Sequence, residues 1–183
     1  MIELILVIIA LSCGLFQLSM SASMQSEISG RGEMVKIAAY FTMFQVLFLL
    51  AGWLLGMALF SLFDHMAQMV SFAIFSVIGL KMIWESFKLH MEASYYDLRN
   101  FKILVGLSLA AGFNTLIAGV GINFIGVLLS KALIMISFMA IFSTLLGLGT
   151  GQRFGCRYRG RWVKFVGGLI FIGVGVKCLL ENI

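Results

Sequence analysis

The chain has 183 residues, 61% of them hydrophobic and 11% charged, with a net charge of +5 and a mean hydropathy of +1.06. That composition excludes a soluble domain. Its apolar residues run unbroken over helix-spanning lengths, so the fold class expected is all-α integral membrane.

Span one covers about Leu4–Ser23. The N-terminus reads MIEL, with Glu3 where a cleavable signal would carry basic residues, so residues 1–23 read as a retained span. Its second half turns polar at Gln17, Ser19, Ser21 and Ser23, and a polar loop, Gln25–Glu33, follows. Span two covers about Val35–Phe60, with one amide, Gln45, and a small-xxx-small pair, Gly52 and Gly56, suited to close helix contact. Asp64 and His65 mark a short turn before span three, about Met66–Trp84. Residues 86–101 form the longest polar connection, where Tyr95 and Tyr96 fit the headgroup level.

From Ile103 to Gly151 there is one charge, Lys131. At ~20 residues per span this run must fold as a hairpin. The turn is expected near Asn123–Lys131, with span four at about Ile103–Ile122 and span five at about Ala132–Gly151. Gly147, Gly151 and Gly155 make a second close-packing face. Gln152–Lys164 reads as a basic loop carrying Arg153, Arg157, Arg159, Arg161 and Lys164, and span six covers about Val163–Leu180. No proline occurs, so any helix break must use glycine.

Charge sets the orientation. Arg31, Lys36, Lys88, Arg99, Lys102 and the five basic residues of the last loop share one side, against Lys131 and Lys177 on the other. The positive-inside rule places the basic loops in the cytoplasm and both termini outside. Charge with this role is no sign of nucleic-acid binding.

The chemistry-bearing stretch is Leu109–Phe124, LAAGFNTLIAGVGINF. It sets Asn114, Thr115 and Asn123 among glycines, inside an apolar span. Polar side chains at membrane depth face a partner helix or a cavity, and glycines allow close approach. Asn114, Thr115, Asn123 and Gln45 are therefore candidate substrate-binding residues, set against plain helix–helix hydrogen bonding. Cys13, Cys156 and Cys178 have no regular spacing and read as packing residues. His65 and His90 both lie near loops and no nucleophile–base spacing appears, so the chain does not read as an enzyme and no cofactor is expected.

An internal match relates the halves. Ile78–Glu85 reads IGLKMIWE and Val174–Glu181 reads VGVKCLLE, an offset of 96. Three spans per unit is odd, so the units cross the membrane in opposite directions. This predicts two inverted three-helix repeats, 1–88 and 101–183, within one transmembrane domain, joined by a cytoplasmic linker, 89–100. Lys81 and Glu85, like Lys177 and Glu181, sit four apart and read as helix-end ion pairs.

Val70–Phe87, Ile117–Phe124, Ser143–Gly155 and Val166–Leu180 carry strings such as IGLKMIWE, IAGVGINF and STLLGLGTGQRFG. Through them nearly the whole chain resembles the bacterial manganese efflux pumps of the MntP type, in a superfamily that includes lysine exporters. The resemblance implies a secondary transporter of the bacterial inner membrane, with a divalent cation as cargo and the bilayer as its other partner. Assembly into a homo-oligomer stays open. In that family spans one and four each carry an aspartate in a short Leu/Met-Asp-Ala string, and span two a glutamate ahead of a Gly-Trp pair. The matching positions here are Leu18 (or Gln17, one register away), Asn114 and Gln45. Each expected carboxylate is an amide or an apolar residue. A hard cation prefers carboxylate, carbonyl and water oxygens, and amides supply neutral carbonyls only. Gln45 and Asn114 are the metal-facing candidates, with Met20 and Met24 as thioethers for a softer ion. The alternatives are a transporter of this fold with another substrate, or a non-transporting scaffold or accessory protein.

Overall fold

The computed structural model describes residues 2–23, 31–63, 66–88, 101–154 and 157–180. These form six helices: α1 (Ile2–Ser23), α2 (Arg31–Phe63), α3 (Ala67–Lys88), α4 (Phe101–Phe124), α5 (Leu129–Phe154) and α6 (Arg157–Leu180). Each is long and apolar enough to cross a membrane. The linker 89–100 with His90, Tyr95 and Tyr96 lies outside the described residues, as do Met24, Asp64, His65, Gly155, Cys156 and Glu181.

The helices outrun the apolar spans read from sequence. Helix α2 begins at Arg31, inside the expected polar loop, and its 33 residues extend about 50 Å at ~1.5 Å per residue. The described residues of the basic stretch Gln152–Lys164 are helical. Helix α5 runs on to Phe154 and α6 starts at Arg157. Arginine and lysine are good helix formers, and hydropathy marks only the buried middle of a helix. Of the five basic side chains there, Lys164 is the one described.

Glycine sets the packing. Helix α2 lies on α4, with Gly52 against the Leu116 backbone, Gly56 against Val120 and Asn123, and Gly119 against Leu49. A Cβ at Gly119 would sit 2.8 Å from the Leu49 carbonyl oxygen. Helix α1 lies on α5 in the same manner, with Gly147 against Phe16 and Ser19, and Gly151 against Met20 and Ser23. Helix α3 meets α6 through Gly79, Gly168 and Gly175, and Phe75 stacks on Phe171 at 6.1 Å. Helices α1 and α6, α2 and α5, and α3 and α4 also touch.

Hydroxyls in an apolar bundle need acceptors. Ser12, Thr42, Ser108 and Ser137 each donate to the carbonyl four residues back on their own helix. Other polar side chains bond to the backbone of a neighbouring helix. Ser143 donates to the Ser12 carbonyl at 2.5 Å, Ser23 to that of Leu148 at 2.8 Å, and the Asn123 amide to that of Trp53 at 3.4 Å. Residues 125–128 close the α4–α5 hairpin through Gly126, whose φ of 73° favours glycine.

Large apolar side chains point both ways. Leu4, Val7, Ile8, Phe75, Ile78, Met82 and Phe171 are buried in the core. Leu80, Trp84, Ile134 and Phe138 are exposed, as expected where lipid is the solvent. Glu3, in the first turn of α1, is buried and pairs with Lys177 of α6 at 3.1 Å.

Candidate functional site

Four of the polar or apolar positions singled out above come together. Leu18 of α1, Gln45 of α2, and Asn114 and Thr115 of α4 line one cavity of about 100 Å³. Leu11, Gly14, Leu15, Met82, Glu85, Ala110, Ala111 and Lys164 complete its wall. This space has room for several waters, or for a partly hydrated ion. The room depends on Gly14. A Cβ there would meet only Met82 Cε, at 3.4 Å.

The polar groups form two sets. Deep in the wall, the Thr115 hydroxyl donates to Gln45 Oε1, and both residues are buried. Next to them a charged chain begins. Lys81 Nζ donates to Asn114 Oδ1 at 2.7 Å. The same ammonium lies 3.7 Å from Glu85 Oε1, and Glu85 Oε2 lies 2.7 Å from Lys164 Nζ. Glu85 and Lys164 line the cavity and Lys81 bonds to its Asn114, so two lysines and one glutamate, a formal net charge of +1, sit around it.

Gln17 and Asn123 are not part of this cavity. Gln17 is buried, and its Oε1 has no hydrogen-bond partner. Asn123 lines a separate depression with Trp53 and residues 126–130, at the far end of α4. Lys81 and Glu85 were expected as a helix-end ion pair. The pair is present at 3.7 Å, and each partner also reaches a second helix, Lys81 to Asn114 of α4 and Glu85 to Lys164 of α6. The i,i+4 spacing was visible in sequence, but the reach of Lys164 was not, because its segment read as loop. Among the described residues no group of three His, Cys, Asp or Glu could hold a metal ion.

The family model described as "Putative manganese efflux pump" matches residues 29–179. MntP 1 of Wolinella succinogenes, which carries that description, is 33% identical over 186 residues, covering 100% of this chain and 99% of the relative. MntP of Bacteroides fragilis (strain YCH46) is 32% identical over 82% of this chain and 80% of its own length. MntP of Methanosarcina barkeri is 29% identical over 96% of this chain and 93% of its own. No solved structure matches the chain. With a family model over most of its length and a full-length relative at one-third identity, this six-helix membrane protein belongs to the manganese efflux pump family, whose members are transporters and not enzymes.

Proposed function

We propose that the chain is a secondary transporter that exports a divalent cation, manganese, through the cavity lined by α1, α2, α3, α4 and α6. The observation that carries the reading is the meeting of Gln45, Asn114 and Thr115 from two helices in one cavity of an apolar bundle. Their carbonyl and hydroxyl oxygens are hard ligands. The site is altered, because amides stand where the family resemblance sets carboxylates.

The matched glycine packing supports two inverted repeats. Gly52 and Gly56 face Leu116 and Val120, as Gly147 and Gly151 face Phe16 and Met20. The offsets are then 95 between α2 and α5 and 100 between α1 and α4. Ser23 to Leu148 and Asn123 to Trp53 obey the same offsets. An offset of 100 sets Gly14, not Leu18, as the partner of Asn114. Both lie on the cavity wall. The orientation we propose keeps the basic ends inside and both termini outside. A cysteine placed in 89–100 should resist an impermeant thiol reagent added to intact cells. Labelling from outside would reverse the orientation.

A second reading, a transporter of this fold for another substrate, is favoured by the charge of about +1 around the cavity. One experiment separates the two. The chain is expressed in a cell lacking its own manganese exporter, and growth and cell metal content are measured over a panel of cations. Manganese resistance with lowered cell manganese is expected. Protection against a different ion selects the second reading. No effect on any ion, from a protein that reaches the membrane, removes the cation-export reading.

A further inference from the structure

The ammonium of Lys81 occupies the ligand that the proposed cargo would need. It lies 2.7 Å from Asn114 Oδ1, a short charge-assisted hydrogen bond. Its other acceptor, Glu85 Oε1, lies 3.7 Å away, one turn along the same helix. Glu85 is itself held, because its second oxygen is 2.7 Å from Lys164.

We propose that Lys81 is a tethered cation, seated on the Asn114 carbonyl until the transported ion displaces it toward Glu85. This rests on the cation-export reading of the cavity. The geometry supplies both stations. Lysine is a compact charge on a flexible four-carbon stem. Its side chain is 41% exposed, so its path to Glu85 is not blocked by packing. An incoming divalent ion then takes over the Asn114 carbonyl while the ammonium closes on the Glu85 carboxylate. Asn114 being neutral matters here. A carbonyl holds the ammonium by one hydrogen bond, while a carboxylate would hold it by an ion pair as well. When the ion leaves, Lys81 returns, and the wall is never left with an unpaired carbonyl.

Such a tether lowers apparent affinity by the fraction of time Lys81 spends away from Asn114. Removing it should tighten cation binding and slow release. The test uses the full-length protein in detergent, with free Mn²⁺ followed by its paramagnetic resonance signal, beside manganese flux in liposomes. Lys81→Met keeps the apolar stem and loses the charge. It is expected to bind Mn²⁺ about tenfold tighter, with KM and kcat for flux both falling. Lys81→Arg restores a cationic donor and is expected within about threefold of wild type. Lys81→Gln serves if the methionine variant fails to give a single size-exclusion peak.

The tightening should persist at about 1 M salt, where charge acting only through space is screened over ~3 Å. Collapse of the effect in high salt would mean a through-space charge and would overturn the tether. So would unchanged or weaker binding in Lys81→Met and Lys81→Gln when wild type itself binds and exports manganese; the transport reading would then stand alone. If neither wild type nor the lysine variants bind Mn²⁺, both readings fall together.

Discussion

Three carboxylates placed together in the cavity, Gly14→Asp, Gln45→Glu and Asn114→Asp, should raise manganese export at least about tenfold at low manganese, mainly through a lower KM. A unit charge 4 Å from another is worth about 4 kcal/mol at an effective dielectric of 20, and a divalent ion doubles that. Desolvation of the new carboxylates, and the ion pair that Asn114→Asp makes with Lys81, take much of it back. A net gain of about 1.4 kcal/mol, a factor of ten, is therefore a low expectation for three groups. Room exists at all three positions: Gly14 faces only Met82 Cε at 3.4 Å, and the other two changes conserve shape. With Leu18→Asp in place of Gly14→Asp the gain should be smaller, because in the proposed repeat Gly14 is the residue that corresponds to Asn114. The converse change, Asn114→Leu, should abolish export. It removes a cavity oxygen and leaves the Lys81 ammonium without its 2.7 Å acceptor. Initial rates of manganese efflux from preloaded cells, normalised to membrane protein, read both results.

Gly52→Val should cost more than about 3 kcal/mol and leave little folded protein. A Cβ at Gly52 falls inside contact distance of the Leu116 backbone, 2.9 Å from its carbonyl carbon. Backbone cannot swing aside as a side chain can, so α2 and α4 must separate, and overpacking of this kind is among the largest single-residue effects. Separation would also pull Gln45 from Thr115, a bond between the same two helices. Gly173 is the control. Nothing lies within 4 Å of a Cβ there, so Gly173→Ala should be neutral or stabilise by up to about 1 kcal/mol through helix propensity. Heating followed by size-exclusion chromatography in detergent would measure both. A Gly52→Val protein as heat-stable as wild type would break the packing argument.

Much of the architecture was legible because its signals are local. Apolar runs of span length gave the six helices, and the single charge between Ile103 and Gly151 gave the α4–α5 hairpin. Glycines at four-residue spacing marked the helix faces that pack. What escaped was whatever depends on a partner distant in sequence. Helix ends beyond the apolar window, at Arg31 and from Gln152 to Lys164, carry charges that hydropathy counts as loop. Lys164 could not be placed beside Glu85 until α6 was known to begin at Arg157. Asn114 stood out as an amide in an apolar span, but nothing local says that Lys81, 33 residues earlier, would bond to it. In α1 the sequence match between halves is weak, so an offset carried over from α3 and α6 drew attention to Leu18. The contacts of Gly147 and Gly151 support an offset four residues longer there, and with it Gly14.

The central claim is that this cavity passes manganese. Its most direct test is purified protein in liposomes that enclose a dye quenched by Mn²⁺, with the external ion raised stepwise. Saturable quenching well above that of protein-free liposomes is expected for wild type, falling to the protein-free rate in Asn114→Leu. Wild-type quenching no faster than in protein-free liposomes, from protein that elutes as one folded species, would contradict it.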